Sequence, residues 1–364
     1  MFSKSWYAAG TALAATLLVL GATPALAEPT MNTFPITVTA QPQYRLGATV
    51  EVTFELHNPT GQDYSLLVWD TPLERWDREV GRYVKIRHGN RDLTYQGRVV
   101  RRSAAPNARS YRTVHAGETV RETVDLTTAF AFTEPGTYTV TLDSRIRDAV
   151  PGAAPAARAS TQFTGHDLDA AAATFELLPG GAPRLTVAAK LRQDDAQAAL
   201  GAKFRHMSDA QERDVRRAIP KADRYVDKAI DLLDDDPRSE HYKKWMGTWT
   251  EDRYNRVRAT FRKIDHDADN VTYDGDCDIE GAYAYVHGDD PNRIWLCDLF
   301  WDAPTTGFNS KAGTIVHEES HFYINGGTSD FAYGTEDCKE LAKNDPYRAV
   351  RNADNYAYFV ESFG

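Results

Sequence analysis

The hydrophobic residues of this chain repeat with two different periods, and the change of period limits what it can fold into. Up to about residue 180 the runs are short and several alternate: "FPITVTA", "TVEVTFELHN", "YSLLVWD", "RYVKIRH" and "GTYTVTLDSRI" are rich in Val, Thr, Tyr and Phe. Turn-forming stretches such as "NPTGQD" and "EPG" separate them. A period of two is that of a strand with one buried face, and many short strands in succession predict an all-β, immunoglobulin-like sandwich over residues 28–197. The Pro/Ala-rich "VPGAAPAARAS" reads as a loop within it, and "LLPGGAPRL" as the exit into a linker. From about Ala198 the spacing turns helical. Val215, Ala218, Ala222, Tyr225, Val226, Ala229, Ile230 and Leu233 recur on one helix face, Ser208 is placed to cap it, and Pro220 is expected to kink or divide it. A helix near 250–264 follows, then the strands "VTYDG", "AYAYV" and "RIWLC", a helix near 310–325 and a last helix close to the C-terminus. Helices beside a small sheet predict an α+β domain over 198–364.

The first 27 residues carry Lys4, an apolar "TALAATLLVLG" and a small-x-small "ALA" ending at Ala27, which reads as a secretory signal with Glu28 opening the mature chain. The expected compartment is extracellular, the periplasm being the alternative, and the general export route is expected because no twin-arginine pair is present. No internal run is apolar for long enough to span a bilayer. The net charge of −10 falls entirely on residues 198–364, with 22 Lys+Arg against 32 Asp+Glu. An acidic C-terminal half disfavours nucleic acid and favours basic substrates, and a monomer is the expected state. Of the three cysteines, Cys277 and Cys297 flank a compact strand-like segment and are the favoured disulfide, leaving Cys338 over.

Chemistry concentrates in "KAGTIVHEESHFYIN". On a helix His317 and His321 project from one face, one turn apart, and Glu318 sits beside the first of them. H-E-x-x-H in a helical setting is a zinc-peptidase signature, with two ligands and a carboxylate able to reach the metal's water. A catalytic zinc takes three protein ligands and keeps one position open. A Gly and His at 324 and 327 would supply the third, but Ile324 and Gly327 stand there. Three carboxylates compete: Glu340, nineteen residues after His321; Glu336, more weakly; and Asp330. Gly326-Gly327 favours Asp330, because paired glycines end the helix and let the chain turn back, bringing Tyr333 along.

"HEESH" followed by "GTSDFAYG" resembles the deuterolysin and peptidyl-lysine metalloendopeptidase family, the aspzincins. In their G-T-x-D-x-x-Y-G motif the aspartate is the third zinc ligand, and Gly327, Thr328, Asp330, Tyr333 and Gly334 fill every fixed position. The resemblance extends through "CDIEGAYAYVHGDDPNRIWLCDLFW", where it implies a Cys277–Cys297 disulfide, to "NADNYAYF". A second disulfide of fungal members has no counterpart, with Gly275 at one of its positions. Lysine-specific members place two acidic residues in the tail: Asp354 matches the first, and Ala357 stands at the second. The resemblance thus implies a secreted zinc metalloendopeptidase with one catalytic Zn2+ on His317, His321 and Asp330. Glu318 would be general base, Tyr333 oxyanion donor, and Asp354 a substrate-binding carboxylate for lysine after the cut bond, with weaker discrimination than two acids would give. Substrate is expected to bind by strand addition, with "RIWLC" as the receiving edge. The sandwich would be a propeptide or accessory domain. Broad, deuterolysin-like specificity and a secreted binding protein working through its sandwich are the alternatives. "DHDADNVTYDGD" spaces Asp265, Asp267 and Asp269 like a calcium loop but has Asn270 at its sixth position and Asp276 at its twelfth, so it reads as a solvated acidic turn.

Overall fold

The computed structural model describes residues 34–74, 79–198 and 204–363. The signal-like segment, Glu28 included, lies outside them. Period-two runs become strands whose burial alternates, as in Glu51–His57, where Val52, Phe54 and Leu56 point inward. That strand lies between Ile36–Ala40 and Thr119–Asp125 in an antiparallel three-stranded sheet. A five-stranded sheet orders Gln43–Arg45, Ala173–Leu178, Gly136–Leu142, Val84–His88 and Arg91–Asp92. Val52 and Phe54 from the first sheet and Tyr138 and Phe175 from the second share one apolar core, so the two sheets bury their inward faces together. The N-terminal region is accordingly rich in β-strands.

Helical periodicity becomes the 27-residue helix Asp209–Asp235. Ser208 and Gln211 cap it reciprocally, each side chain bonding the other's backbone. Pro220 does not divide it: the proline removes one helical hydrogen bond, while buried Ala218, Ile219, Ala222, Tyr225 and Val226 hold the segment against the core from both sides. Helix Glu251–Ile264 follows the expected span. A helix of the linker region, Val187–Ala198, was not expected, and the anticipated boundary at 197/198 falls inside it. Among the described residues no helix is long and apolar enough to cross a membrane. Asp265 and His266 of the acidic stretch approach Asp227, with one ligand atom of each within 4.8 Å of the others.

The sheet of the C-terminal region runs in the order Phe204–Arg205, Thr272–Asp274, Arg293–Leu296, Ala282–His287 and Arg98–Arg102. Two expectations change here. Arg293–Leu296, the core of "RIWLC", is paired on both sides and offers no free edge. Next to it lies Ala282–His287, which we call the rim strand. Its other side takes Arg98–Arg102, an inserted strand from the N-terminal half, in antiparallel register with Val100 opposite Tyr285. Two sequence regions with different periods therefore share one sheet.

Candidate metal centre and substrate groove

Helix Lys311–His321 carries the first two functional groups. Ser310 caps it by accepting from the Gly313 N–H at 3.0 Å, a contact worth about 1 kcal/mol. Every residue of this histidine helix is buried, with Ala312, Ile315 and Val316 in the main core. The candidate ion-binding side chains thus emerge from a fully buried element.

Each imidazole is oriented from behind. His317 Nδ1 lies 2.8 Å from Asp354 Oδ1, and His321 Nδ1 lies 3.1 Å from the Thr328 carbonyl. A carboxylate and a carbonyl only accept, so both Nδ1 atoms carry the proton and both Nε2 atoms present lone pairs. The two Nε2 atoms face each other at 3.0 Å. Asp330 closes the triangle, with Oδ1 at 3.2 Å from His317 Nε2 and Oδ2 at 3.3 Å from His321 Nε2. Among the described residues neither carboxylate oxygen of Asp330 has a hydrogen-bond partner, and both are buried. Three electron-pair donors pointing at one another in a dry pocket require a cation. Tetrahedral zinc with ligands at about 2.0–2.1 Å separates them by about 3.3 Å, so these side chains fit that ion. Failing a metal, a proton must serve: burial lowers the basicity of His317, but the carboxylates of Asp330 and Asp354 outweigh it and lift the imidazole to about 9.

Asp330 reaches the helix because the chain reverses after His321. Gly327 takes φ 56°, and the N–H groups of Gly326 and Gly327 both return to the Phe322 carbonyl. Gly326 is required for another reason, since a Cβ there would lie 2.8 Å from the Ser320 carbonyl oxygen. Asn352 then clamps the loop: its Oδ1 accepts from Phe331 N–H at 2.7 Å and from Ala332 N–H at 3.1 Å, and its Nδ2 donates to the Ala332 carbonyl. Of the competing carboxylates, Glu340 is exposed and bonds Asn344, and Glu336 is exposed and pairs with Lys339. Neither belongs to the metal-binding cluster.

Glu318 is fully buried, and among the described residues neither of its carboxylate oxygens has a hydrogen-bond partner. Burial raises its pKa to about 8; His317 and Arg101 oppose the rise, and Asp330 and Asp354 add to it. Tyr333 is buried beside Trp69 and donates its hydroxyl to the Val100 carbonyl of the inserted strand at 3.0 Å. Asp354 lies on the C-terminal helix Ala353–Glu361 and is 1% exposed. It has two tasks. Oδ1 accepts from His317 and, at 3.1 Å, from Arg101 Nε, while Oδ2 accepts from the Gly334 N–H at 3.0 Å. Cys277 and Cys297 are bonded to each other, and Cys338 is free and fully buried.

The sequence reading missed the rest of the cation pocket. Arg101 donates through Nη1 to Thr314 Oγ1 at 2.5 Å and lies over the Tyr283 ring at 5.1 Å. Glu361, held by the backbone N–H groups of Asn309 and Ser310, adds a further negative field. It lies four residues, one helical turn, beyond buried Ala357. Such an acid could have been found by extending the helical spacing from Asp354 past Ala357. No spacing rule points to Arg101.

The profile of the lysine-specific metallo-endopeptidase (aspzincin) family matches residues 232–361. A peptidyl-Lys metalloendopeptidase of Pleurotus ostreatus is 37% identical over 147 residues, which span 40% of this chain and 88% of that protein. The chain belongs to the aspzincin metalloendopeptidases. It is a peptidase of a zinc-using family. An extracellular protease of Aeromonas hydrophila is 29% identical over 315 residues, 86% of this chain and 88% of that protein, so that likeness also takes in the β-rich region. Among solved structures, a zinc peptidase from Grifola frondosa is 37% identical and aligns with 43% of this chain and 98% of its own, at a TM-score of 0.42.

Proposed function

We propose that this aspzincin hydrolyses peptide bonds with one zinc held by His317, His321 and Asp330, outside the cytoplasm, and favours a basic residue after the cut. The observation that carries the proposal is the convergence of three buried lone-pair donors beside the unpartnered carboxylate of Glu318. Zinc bound there supplies a Lewis acid that makes water a nucleophile near neutral pH and polarises a carbonyl. The side chains do the remaining work. Glu318 takes the proton of the attacking water and passes it to the leaving amine, and its burial makes it a stronger base than an exposed carboxylate. Tyr333 donates its hydroxyl to the carbonyl oxygen as charge builds there. Asp354 holds His317 in the required tautomer and offers the same oxygen, Oδ1, to a substrate cation.

The names of the peptidyl-Lys relatives support lysine in that position. Ala357 supports a broader specificity than a pocket with two adjacent acids would have, with Glu361 one turn along as partial compensation. The disulfide and the Aeromonas relative support export. The β-rich region, residues 28–197, is proposed to be an immunoglobulin-like sandwich acting as a propeptide or accessory domain, because its three-stranded Ile36–Ala40 sheet and its five-stranded sheet share a core and it precedes the peptidase region, residues 198–364.

Glu318→Gln tests the mechanism. Turnover of a peptide substrate should fall about 10²–10⁴-fold, the contribution of a general base, while zinc content stays at the wild-type level. Unchanged turnover with zinc bound would refute the role given to Glu318.

A further inference from the structure

The groove that would receive a substrate is filled by the chain itself. The inserted strand lies on the rim strand by main-chain hydrogen bonding, the mode in which extended peptides add to a sheet edge. Two contacts place it relative to the chemistry. The Val100 carbonyl accepts from Tyr333, the group assigned to a scissile carbonyl. The next side chain, Arg101, is 1% exposed and enters the pocket of Asp354, Thr314 and Tyr283. The peptide bond Val100–Arg101 thus has its carbonyl and its following side chain where a substrate would have them.

Both flanks are anchored. Arg98 bonds Asp278 at 2.6 Å and pairs with Glu79, and Arg102 pairs with Glu74 beneath Trp69. Val100 packs with Ile279, Ala282, Tyr285 and Trp295. The anchoring extends beyond the strand: Arg147 donates to the Asp330 carbonyl at 2.7 Å, and Arg82 to the Thr328 carbonyl at 3.3 Å, both from the N-terminal half onto the loop that carries the third ligand.

We propose that Arg98–Arg102 is a built-in, substrate-like inhibitor, with Arg101 occupying the position of the first residue after a cut, so that the pocket accepts arginine as well as lysine. The proposal rests on the peptidase reading given above. It accounts for a guanidinium buried 253 residues away in sequence from its carboxylate partner, an expensive arrangement unless the cation fills a site made for one.

The test uses the zinc-loaded full chain and quenched peptides containing a single lysine or a single arginine. Wild type and Arg101→Lys should turn both over slowly. Arg101→Gln, which removes the cation but keeps similar bulk, should raise turnover of both peptides by at least about ten-fold. Hydrogen exchange at residues 98–102 and 282–287 should accelerate in the same variant, while the histidine helix stays protected. A variant whose strand exchanges faster but whose turnover matches wild type overturns the proposal. Should Arg101→Gln not fold, wild type treated with trypsin gives the second measurement: turnover should rise as the 98–102 segment is lost, with zinc retained. Wild-type turnover already at the trypsin-treated level overturns the inhibitor but leaves the peptidase reading standing. Absence of turnover in every form, zinc being present, overturns that reading and the inhibitor with it.

Discussion

Two halves of one pocket are built in opposite ways. The proposed metal-binding half comes from a single stretch, His317 to Asp330, in which one helical turn and one glycine reversal bring three candidate ligand side chains to 3.0–3.3 Å of each other. The cation-binding half is assembled from distant segments: Arg101 on the inserted strand, Tyr283 on the rim, Thr314 on the histidine helix and Asp354 on the C-terminal helix. The first half depends on local geometry, which a short motif can specify. The second depends on tertiary packing, and only Asp354 belongs to both. A change in the local half should therefore abolish chemistry outright. A change in the distributed half should alter selectivity and latency.

Two substitutions sharpen that contrast. Tyr333→Phe removes the hydroxyl aimed at the Val100 carbonyl, and kcat should fall about 10²-fold with zinc content unchanged, as for loss of one oxyanion donor. Steady-state kinetics beside metal analysis checks this; an unaltered kcat would remove Tyr333 from the chemistry. Asp354→Asn should act more mildly and on both halves at once. The amide holds His317 less firmly and cancels the negative charge facing Arg101, so zinc affinity should weaken about 10-fold or more. The preference for a basic residue after the cut should decline with it. Chelator competition measures the first effect and mass spectrometry of a mixed protein digest the second. Weakened zinc binding with an undiminished basic preference would show that the two halves do not share Asp354.

What could be read from the sequence follows the same division. Periodicity placed the strands up to residue 180 and the helices after 208, because burial of one face sets the spacing of apolar residues locally. The positions of His317, His321, Asp330 and the two glycines could be anticipated for the same reason. Pro220 does not divide its helix, because the cost of a proline is local, whereas the packing that holds the segment in place is not. "RIWLC" was expected at an edge, yet strand order depends on contacts across the chain, and Arg293–Leu296 lies inside the sheet. The inserted strand was invisible for a stronger reason: RVVRR does not alternate, and the strand leaves the N-terminal region to complete a sheet in the other. "NADNYAYF" could be singled out but not explained. In the structure Asn352 clamps the loop of Asp330 and Asp354 backs His317, so the segment supports both sides of the metal centre.

The central claim is that Asp330, delivered by the glycine turn, completes the metal site. Zinc content of purified wild type, Asp330→Ala and Glu340→Ala measures it directly. The account predicts one zinc per chain in wild type and Glu340→Ala, and loss of the ion from Asp330→Ala with the fold otherwise retained. Full zinc occupancy in Asp330→Ala together with its loss from Glu340→Ala would contradict it.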